Sequence, residues 1–459
     1  MDGGHAYTLV NSAENLSPKH FSFHPAAKLR LQGTGFENLI KLSRPSSHFK
    51  SLIHAVADRY NREEKCFEFG RDQKIRLFLG LGDVLRITGL PIDGWPVTVN
   101  EKEVNVRDLC IQCFGTDKFL EPSKTAEKPK SGICLTWLKD NYGHLDENYV
   151  LKGQQLDQYV RATVLYIIGS VVLPSVAKTV SPIYLTFLKN VDKIGSYAWG
   201  AAMLASLHRC LQNVNKCTSN CLYGNFHFVT VFILEHLPEL ASWLLHLDNK
   251  EVNEIVIAED KENRPKDFPL LVGWHERLFK SSKKHKKHPN TSEFEEYFNN
   301  LSLNRVEWTP YSRLPQNFFP SPYNDQVFLE RALTSLVSLE KVVLHNPAVS
   351  KEKKLCASDD LQLKAKHITK IHNRLDQSRR GRSRGGSGQD WPLVHKDFIS
   401  VWSDRWECLY IADGEEGGLQ NQENAAPAEE HDGEIGKLIF PLLVFYFPEY
   451  APRMNFCLS

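Results

Sequence analysis

Apolar residues three and four positions apart recur along most of this chain, and that spacing predicts helices packed by one face. The clearest case lies in residues 77–98, LFLGLGDVLRITGLPIDGWPVT. Leu81, Val84, Leu85 and Thr88 share one helical face, Gly89 and Pro91 stop it, and Asp93-Gly94 makes a tight turn. Before it, residues 66–69 and 76–78 alternate as short strands, a minor β element near the N-terminus. Residues 36–42 and 48–60 read as amphipathic helices, the second with Leu52, Ile53, Val56 and Tyr60 on its stripe. Residues 104–114 and 133–142 read as helices joined by the polar stretch 116–131. Residues 156–172, 197–214 and 226–247 are apolar enough to lie in the middle of a helical core. Residues 293–346 read as helical in two pieces around the proline-rich turn 310–322, and 390–411 as an amphipathic helix carrying Trp391, Trp402 and Trp406.

These elements predict a mainly α protein built on a single large helical domain, residues 35–349. A mobile polar leader, 1–34, precedes it. A basic low-complexity linker, 350–389, leads to the 390–411 helix, which is expected to pack on the domain. An acidic disordered segment, 412–436, and an apolar C-terminal segment, 437–459, follow. No repeat of solenoid period is visible.

Composition narrows the function classes only slightly. The chain has 459 residues, 42% hydrophobic and 24% charged, ordinary for a folded core. A formal net charge of +1 supplies no global field for nucleic acid or acidic membranes, so such binding must come from local patches. The opening residues lack a basic-then-apolar leader, and the longest apolar stretch, 164–177, falls short of the roughly 20 residues a membrane-spanning helix needs. The expectation is no membrane and ten reduced cysteines.

As a string, residues 77–98 resemble the opening signature of the plant mobile domain family, and four further strings continue the likeness in the family's order. They are CLTWLKDN at 134–141, YAWGAAMLASLHRCL at 197–211, FILEHLPEL at 232–240 and VEWTPY at 306–311. The family-signature positions with a structural role are thus Asp83, Gly89, Leu90, Pro91, Gly94, Trp199, Gly200, Trp308, Pro310 and Tyr311. After Tyr311 the chain departs: SLEKVVLHNPAVSKEKKLCA replaces the family's usual string ending in Arg and Gln-Phe-Gly. The resemblance implies a transposon-derived family without an established reaction. It further implies ties to meristem maintenance, transposon silencing and genome stability.

The chemistry legible in the residues agrees with that expectation. Some family members carry a phosphatase domain, but Gly82-Asp83 runs into Val84-Leu85 and Gly224-Asn225 into Phe226, out of register for a two-metal phosphatase. The family's "aminotransferase-like" label would require a Schiff-base lysine and a phosphate cup in an α/β domain, and neither is legible. Walker, Gly-x-Ser-x-Gly and His-Glu-x-x-His motifs are missing. Cys110 with Cys113, or His208, Cys210, Cys217, Cys221 and His227, have zinc-like spacing, but helical cysteines at such positions read more simply as small apolar residues. Tryptophans 137, 199, 274, 308, 391, 402 and 406 read as core.

Two basic clusters remain: Lys280, Lys283, Lys284, Lys286 and Lys287 in a loop, and Arg379, Arg380, Arg382 and Arg384 beside Gly385-Gly386. They fit nuclear import or sequence-blind phosphate contact, against the plainer reading of solvated loops. The expectation is a non-catalytic nuclear interaction protein with no catalytic, cofactor-binding or metal residues and no cofactor. It has protein partners and only weak non-specific nucleic-acid contact. The alternative is the relic of a transposon-encoded nucleic-acid-processing enzyme with no intact active site; carboxylates such as Asp83 and Asp93 could serve a metal there, but each reads more simply as a helix-end or turn residue.

Overall fold

The element at the heart of the fold is the helix Leu81–Thr88, in which every residue except Arg86 is buried. It is so short that burial on all sides, and not one amphipathic stripe, holds it in place. We describe it from a computed structural model covering residues 8–9, 21–42, 50–120, 132–215, 221–245, 267–284, 289–349, 355–379 and 388–412. Leu81–Thr88, here the signature helix, packs on the long central helix Trp199–Asn215 and on Phe226–His236 and Leu270–Lys284. The molecule is mainly α, with small sheets.

The β element before the signature helix is a three-stranded antiparallel meander, Tyr60–Asn61, Cys66–Phe69 and Ile75–Phe78, with Phe67 opposite Leu77. Alternation turns Ile75 and Leu77 into the core while Arg76 pairs with Glu68 at the surface, Nε–Oε1 2.9 Å.

Several expectations are corrected. The 1–34 leader is packed from Phe21 onward: Phe21 and Leu31 are fully buried, and Phe21 lies 4.4 Å from the Tyr166 ring. Tyr159 Oη donates to the Ser22 carbonyl (3.0 Å) and accepts from the His24 amide (3.1 Å). Phe21, Phe23, Ala27 and Leu31 supply an apolar face that a polar average conceals. The stretch 226–247 is two helices, Phe226–His236 and Pro238–Leu245, bent by 112° where Pro238 denies the ladder its amide. No single described helix is long and apolar enough to cross a membrane, and this bent pair is largely buried inside the protein.

The largest correction falls where the family string breaks down. Within 293–346 only Thr291–Asn299 is an α-helix; Thr334–Ser338 and Lys341–His345 form an antiparallel hairpin closed by Leu339-Glu340. Leu336 and Val343, directly paired, face the main core, and the next pair, Val337 and Val342, packs with Phe398 on the other side. Thr334, Ser335 and Ser338 are buried beside the apolar residues, so no apolar/polar alternation marks the strand and helix periodicity could be imposed on it.

Phe398 belongs to Lys396–Ser403, one of the pieces into which 390–411 divides; Trp391–Val394 is another. The 350–389 linker contains a helix, Asp359–Arg379, whose Leu361 and Ile368 pack with Leu333, Val401 and Tyr410. His372 from that helix meets the Ser335 hydroxyl, Nε2–Oγ 2.9 Å. Residues to Ala412 cluster as one compact unit. The acidic 413–436 and apolar 437–459 segments lie outside the described residues.

Candidate functional site

Four of the five signature strings, far apart in sequence, come together around the helix Leu81–Thr88; the string at 134–141 packs elsewhere, Trp137 against Phe114 and Phe119. At its start, Asp83 reaches back with Oδ2 to the Gly80 amide (2.8 Å), and Oδ1 accepts the Tyr311 hydroxyl (2.8 Å). A capping carboxylate here satisfies an orphan amide and complements the positive end of the helix dipole. The Leu81 amide donates to His345 Nε2 (3.2 Å), so the ring proton sits on Nδ1, 2.7 Å from the Ala332 carbonyl it faces. The string VEWTPY and the hairpin thus clasp one helix terminus.

Arg86 leaves the same helix to pair with Glu330 (2.7 Å) and lies over the rings of Tyr311 (5.0 Å) and Phe319 (5.5 Å). Burial, then the Asp83 and Glu235 carboxylates, push the Tyr311 hydroxyl well above its ordinary range, which keeps it a donor. Glu235, wholly buried, accepts from Trp274 Nε1 (2.6 Å) and the Arg313 guanidinium (2.5 Å). Trp308 is partly buried against the core and Pro310 is buried.

After the helix, Gly89 closes it with its amide on the Leu85 carbonyl (3.0 Å), and Leu90 and Pro91 run buried toward the central helix. The Gly200 amide donates to the Pro91 carbonyl (2.7 Å); a side chain on Gly200 would meet Val84 Cγ1 at 2.8 Å and that carbonyl at 2.9 Å. Trp199, fully buried, donates from Nε1 to the Ile194 carbonyl (2.8 Å). Gly94 turns with φ +111°, and a Cβ there would lie 2.3 Å from the Ser196 carbonyl oxygen.

The Asp93-Gly94 turn is gripped from the far C-terminal side. The Arg405 guanidinium binds Asp93 Oδ1 (Nε 2.7 Å), and Trp406 Nε1 donates to Oδ2 (3.2 Å). Trp402 Nε1 donates to the Gly94 carbonyl (3.0 Å), and Arg405 lies 4.5 Å over the Trp402 ring. The Gln326 carbonyl oxygen accepts from the Ile92 and Asp93 amides (2.9 and 3.2 Å). Residues 402–406 are a part of the signature cluster that the sequence did not disclose; the only signal was tryptophan density.

The cysteine and histidine groups divide as ordinary core. Burial pushes the Cys110 thiol up to about 12 and raises Cys113 in the same direction. His208 Nδ1 meets the Tyr60 hydroxyl at 2.7 Å, and burial brings the imidazole down to about 3. Cys210, two residues on, instead accepts from the Tyr223 amide at 3.3 Å. His227 is likewise lowered to about 3 by burial, with His275 beside it. Cys217 lies outside the described residues. Among the described residues, no three His, Cys, Asp or Glu side chains are placed to hold a metal ion.

The lysine cluster is not wholly a loop. Lys280, exposed and paired with Glu276 (2.8 Å), Lys283 and Lys284 belong to the helix Leu270–Lys284, and Lys286 and Lys287 lie outside the described residues. Arg379 ends the helix Asp359–Arg379; Arg380, Arg382 and Arg384 lie outside the described residues. The same helix carries exposed Lys366, Lys370 and Arg374, which sequence reading passed over although their spacing of four was legible.

The family model described as "Plant mobile domain" matches residues 35–353. MAIN-LIKE 1 of Arabidopsis thaliana is 29% identical over 305 residues, 66% of this chain and 53% of that protein. MAINTENANCE OF MERISTEMS of the same plant is 26% identical over 301 residues, 65% of this chain and 55% of that protein. A serine/threonine-protein phosphatase 7 long form homolog, also from Arabidopsis thaliana, is 24% identical over 367 residues, 77% of this chain and 24% of that protein. The chain therefore spans about half the length of the first two relatives. No solved structure matches.

Proposed function

The chain belongs to the plant mobile domain family, and from that premise we propose that it is a non-catalytic interaction protein of the nucleus. Its setting is the one named by its relatives, the maintenance of meristems, together with transposon silencing. One observation carries the reading: the polar side chains of the signature cluster are each bound to another part of the fold. Asp83 holds Gly80 and Tyr311, Asp93 holds Arg405 and Trp406, and Glu235 holds Trp274 and Arg313. A metal-dependent nuclease needs such carboxylates converging on an ion. Asp83 and Glu235 both lie near Tyr311, but each carboxylate is taken by donors of the fold, and among the described residues no three His, Cys, Asp or Glu side chains are placed to hold a metal ion. What is left to act is the surface.

The lysines from Lys280 to Lys287 support the nuclear assignment. A fluorescently tagged chain in plant cells is expected to concentrate in nuclei and to spread to the cytoplasm when Lys280, Lys283, Lys284, Lys286 and Lys287 are replaced by alanine. A cytoplasmic protein unaffected by those changes contradicts the assignment. Plants lacking the gene are expected to show disordered meristems and raised transposon transcripts; normal levels of both contradict the biological role.

A further inference from the structure

The helix Asp359–Arg379 has a face that nothing above accounts for. Its inner side is apolar and occupied: Leu361 and Ile368 are 2% and 4% exposed, and His372 is held by Ser335. On its outer side Lys366, Lys370 and Arg374 are all exposed. Four-residue spacing on a helix rising 1.5 Å per residue puts successive cations about 6 Å apart along one nearly straight line. Between Leu361 and Arg374 the helix carries no acidic residue. Of the helix's three carboxylates, Asp359 and Asp360 are in the first turn, where Asp360 is taken by Lys364 at 2.8 Å, and Asp376 comes after Arg374. Ala365, Lys366, Thr369, Lys370, Asn373 and Arg374 line an open concavity on this face.

We propose that this face is a binding surface for the phosphodiester backbone of nucleic acid, read without regard to base sequence. A regular row of cations matches a polymer with regularly spaced phosphates, and each neutralised phosphate releases condensed counterions. In sequence alone, Arg379 at the helix end is followed by Arg380, Arg382 and Arg384 among glycines, and guanidinium planes stack on bases as well as pairing with phosphates. A membrane surface fits poorly. An interfacial helix buries a broad apolar face in lipid, whereas this helix has given most of its apolar residues to the protein, leaving one exposed leucine, Leu363, on a face otherwise made of Thr369, Asn373 and the cations. An acidic polypeptide offers charge but no bases for the arginines that follow. The surface does not depend on the nuclear assignment, because binding is read on the purified chain.

The test is fluorescence anisotropy of the full chain with labelled oligonucleotides of about 20 nucleotides, duplex DNA and single-stranded RNA in separate arms, from about 50 to 200 mM salt. The triple variant Lys366→Glu/Lys370→Glu/Arg374→Glu is expected to weaken binding at least about tenfold. If all three contact phosphates, the slope of log affinity against log salt becomes shallower by about 2.7 on duplex or about 2.1 on single strands. Thermal melting should be unchanged, and the single variant Lys370→Glu should show an intermediate loss. The control Lys280→Glu/Lys283→Glu/Lys284→Glu should bind as the parent does. Failure of the parent chain to bind either oligonucleotide overturns the proposal, as does unchanged binding by the triple variant. So does tighter binding to polyglutamate or to phosphatidylserine vesicles than to both oligonucleotides.

Discussion

Tyr311 shows how far one side chain can reach through the fold. Its hydroxyl ties the string VEWTPY to Asp83 of the string that opens the family signature, 228 residues away, and its ring supports Arg86. Replacing Tyr311 with Phe keeps the ring but leaves Asp83 Oδ1 without its donor. A hydrogen bond to a charged group contributes about 1.5–3 kcal/mol, and a loss of that size is expected in urea denaturation; an unchanged midpoint contradicts the clasp. Legibility at this scale was uneven. Gly89, Pro91, Gly94 and Gly200 stood out in the sequence because turns and close helix approaches admit few residue types. That Asp83 would meet Tyr311, and His345 the Leu81 amide, was invisible, because contacts at such separation leave no periodic trace.

Among the elements, the C-terminal helices matter most. Residues 390–412 lie beyond the 35–353 match of the family model, yet Trp391 and Trp402 join the main core and Arg405 seals the Asp93-Gly94 turn. Arg405→Ala is expected to cost about 1–3 kcal/mol, since it strips a partly buried carboxylate of its partner. Arg405→Lys should restore little, because an ammonium cannot span the same fork of bonds. Urea midpoints of the two variants check both statements; a neutral Arg405→Ala would mean the clasp contributes nothing. The sequence placed an amphipathic helix here but not its segmentation, and it read Asp359–Arg379 as linker because the inner stripe, Leu361, Ala365, Ile368, Ile371 and His372, is thin and set among cations. The hairpin at Thr334–His345 was missed because both its faces are buried and small polar residues break any alternation.

For the whole molecule, the buried histidines predict acid lability. Burial brings His208, His227 and His372 down to about 3 and His395 to about 4, from 6.5 in the unfolded chain. Lys65 adds to the effect at His208 and His372. The folded state binds fewer protons than the unfolded one in this window, so their contribution is fully present above pH 6.5 and is lost as pH falls toward the folded values. Each such histidine removes about 1.4 kcal/mol per pH unit below 6.5, so cooperative unfolding is expected well before pH 4. Circular dichroism across a pH titration reads this directly, and a native spectrum at pH 4 contradicts it. The mainly α class was legible because helical periodicity dominates the chain; how the layers close over one another was not.

Denaturation of the parent chain and of Asp83→Ala and Asp93→Ala, with and without millimolar magnesium or manganese, weighs most directly on the claim that these signature carboxylates hold the fold together. If they are pins, each variant loses about 1–4 kcal/mol through missing caps and partners, and the divalent ion shifts none of the three proteins. Stabilisation of the parent by the ion, abolished in variants whose metal-free stability is equal or higher, would contradict the account and identify them as metal ligands.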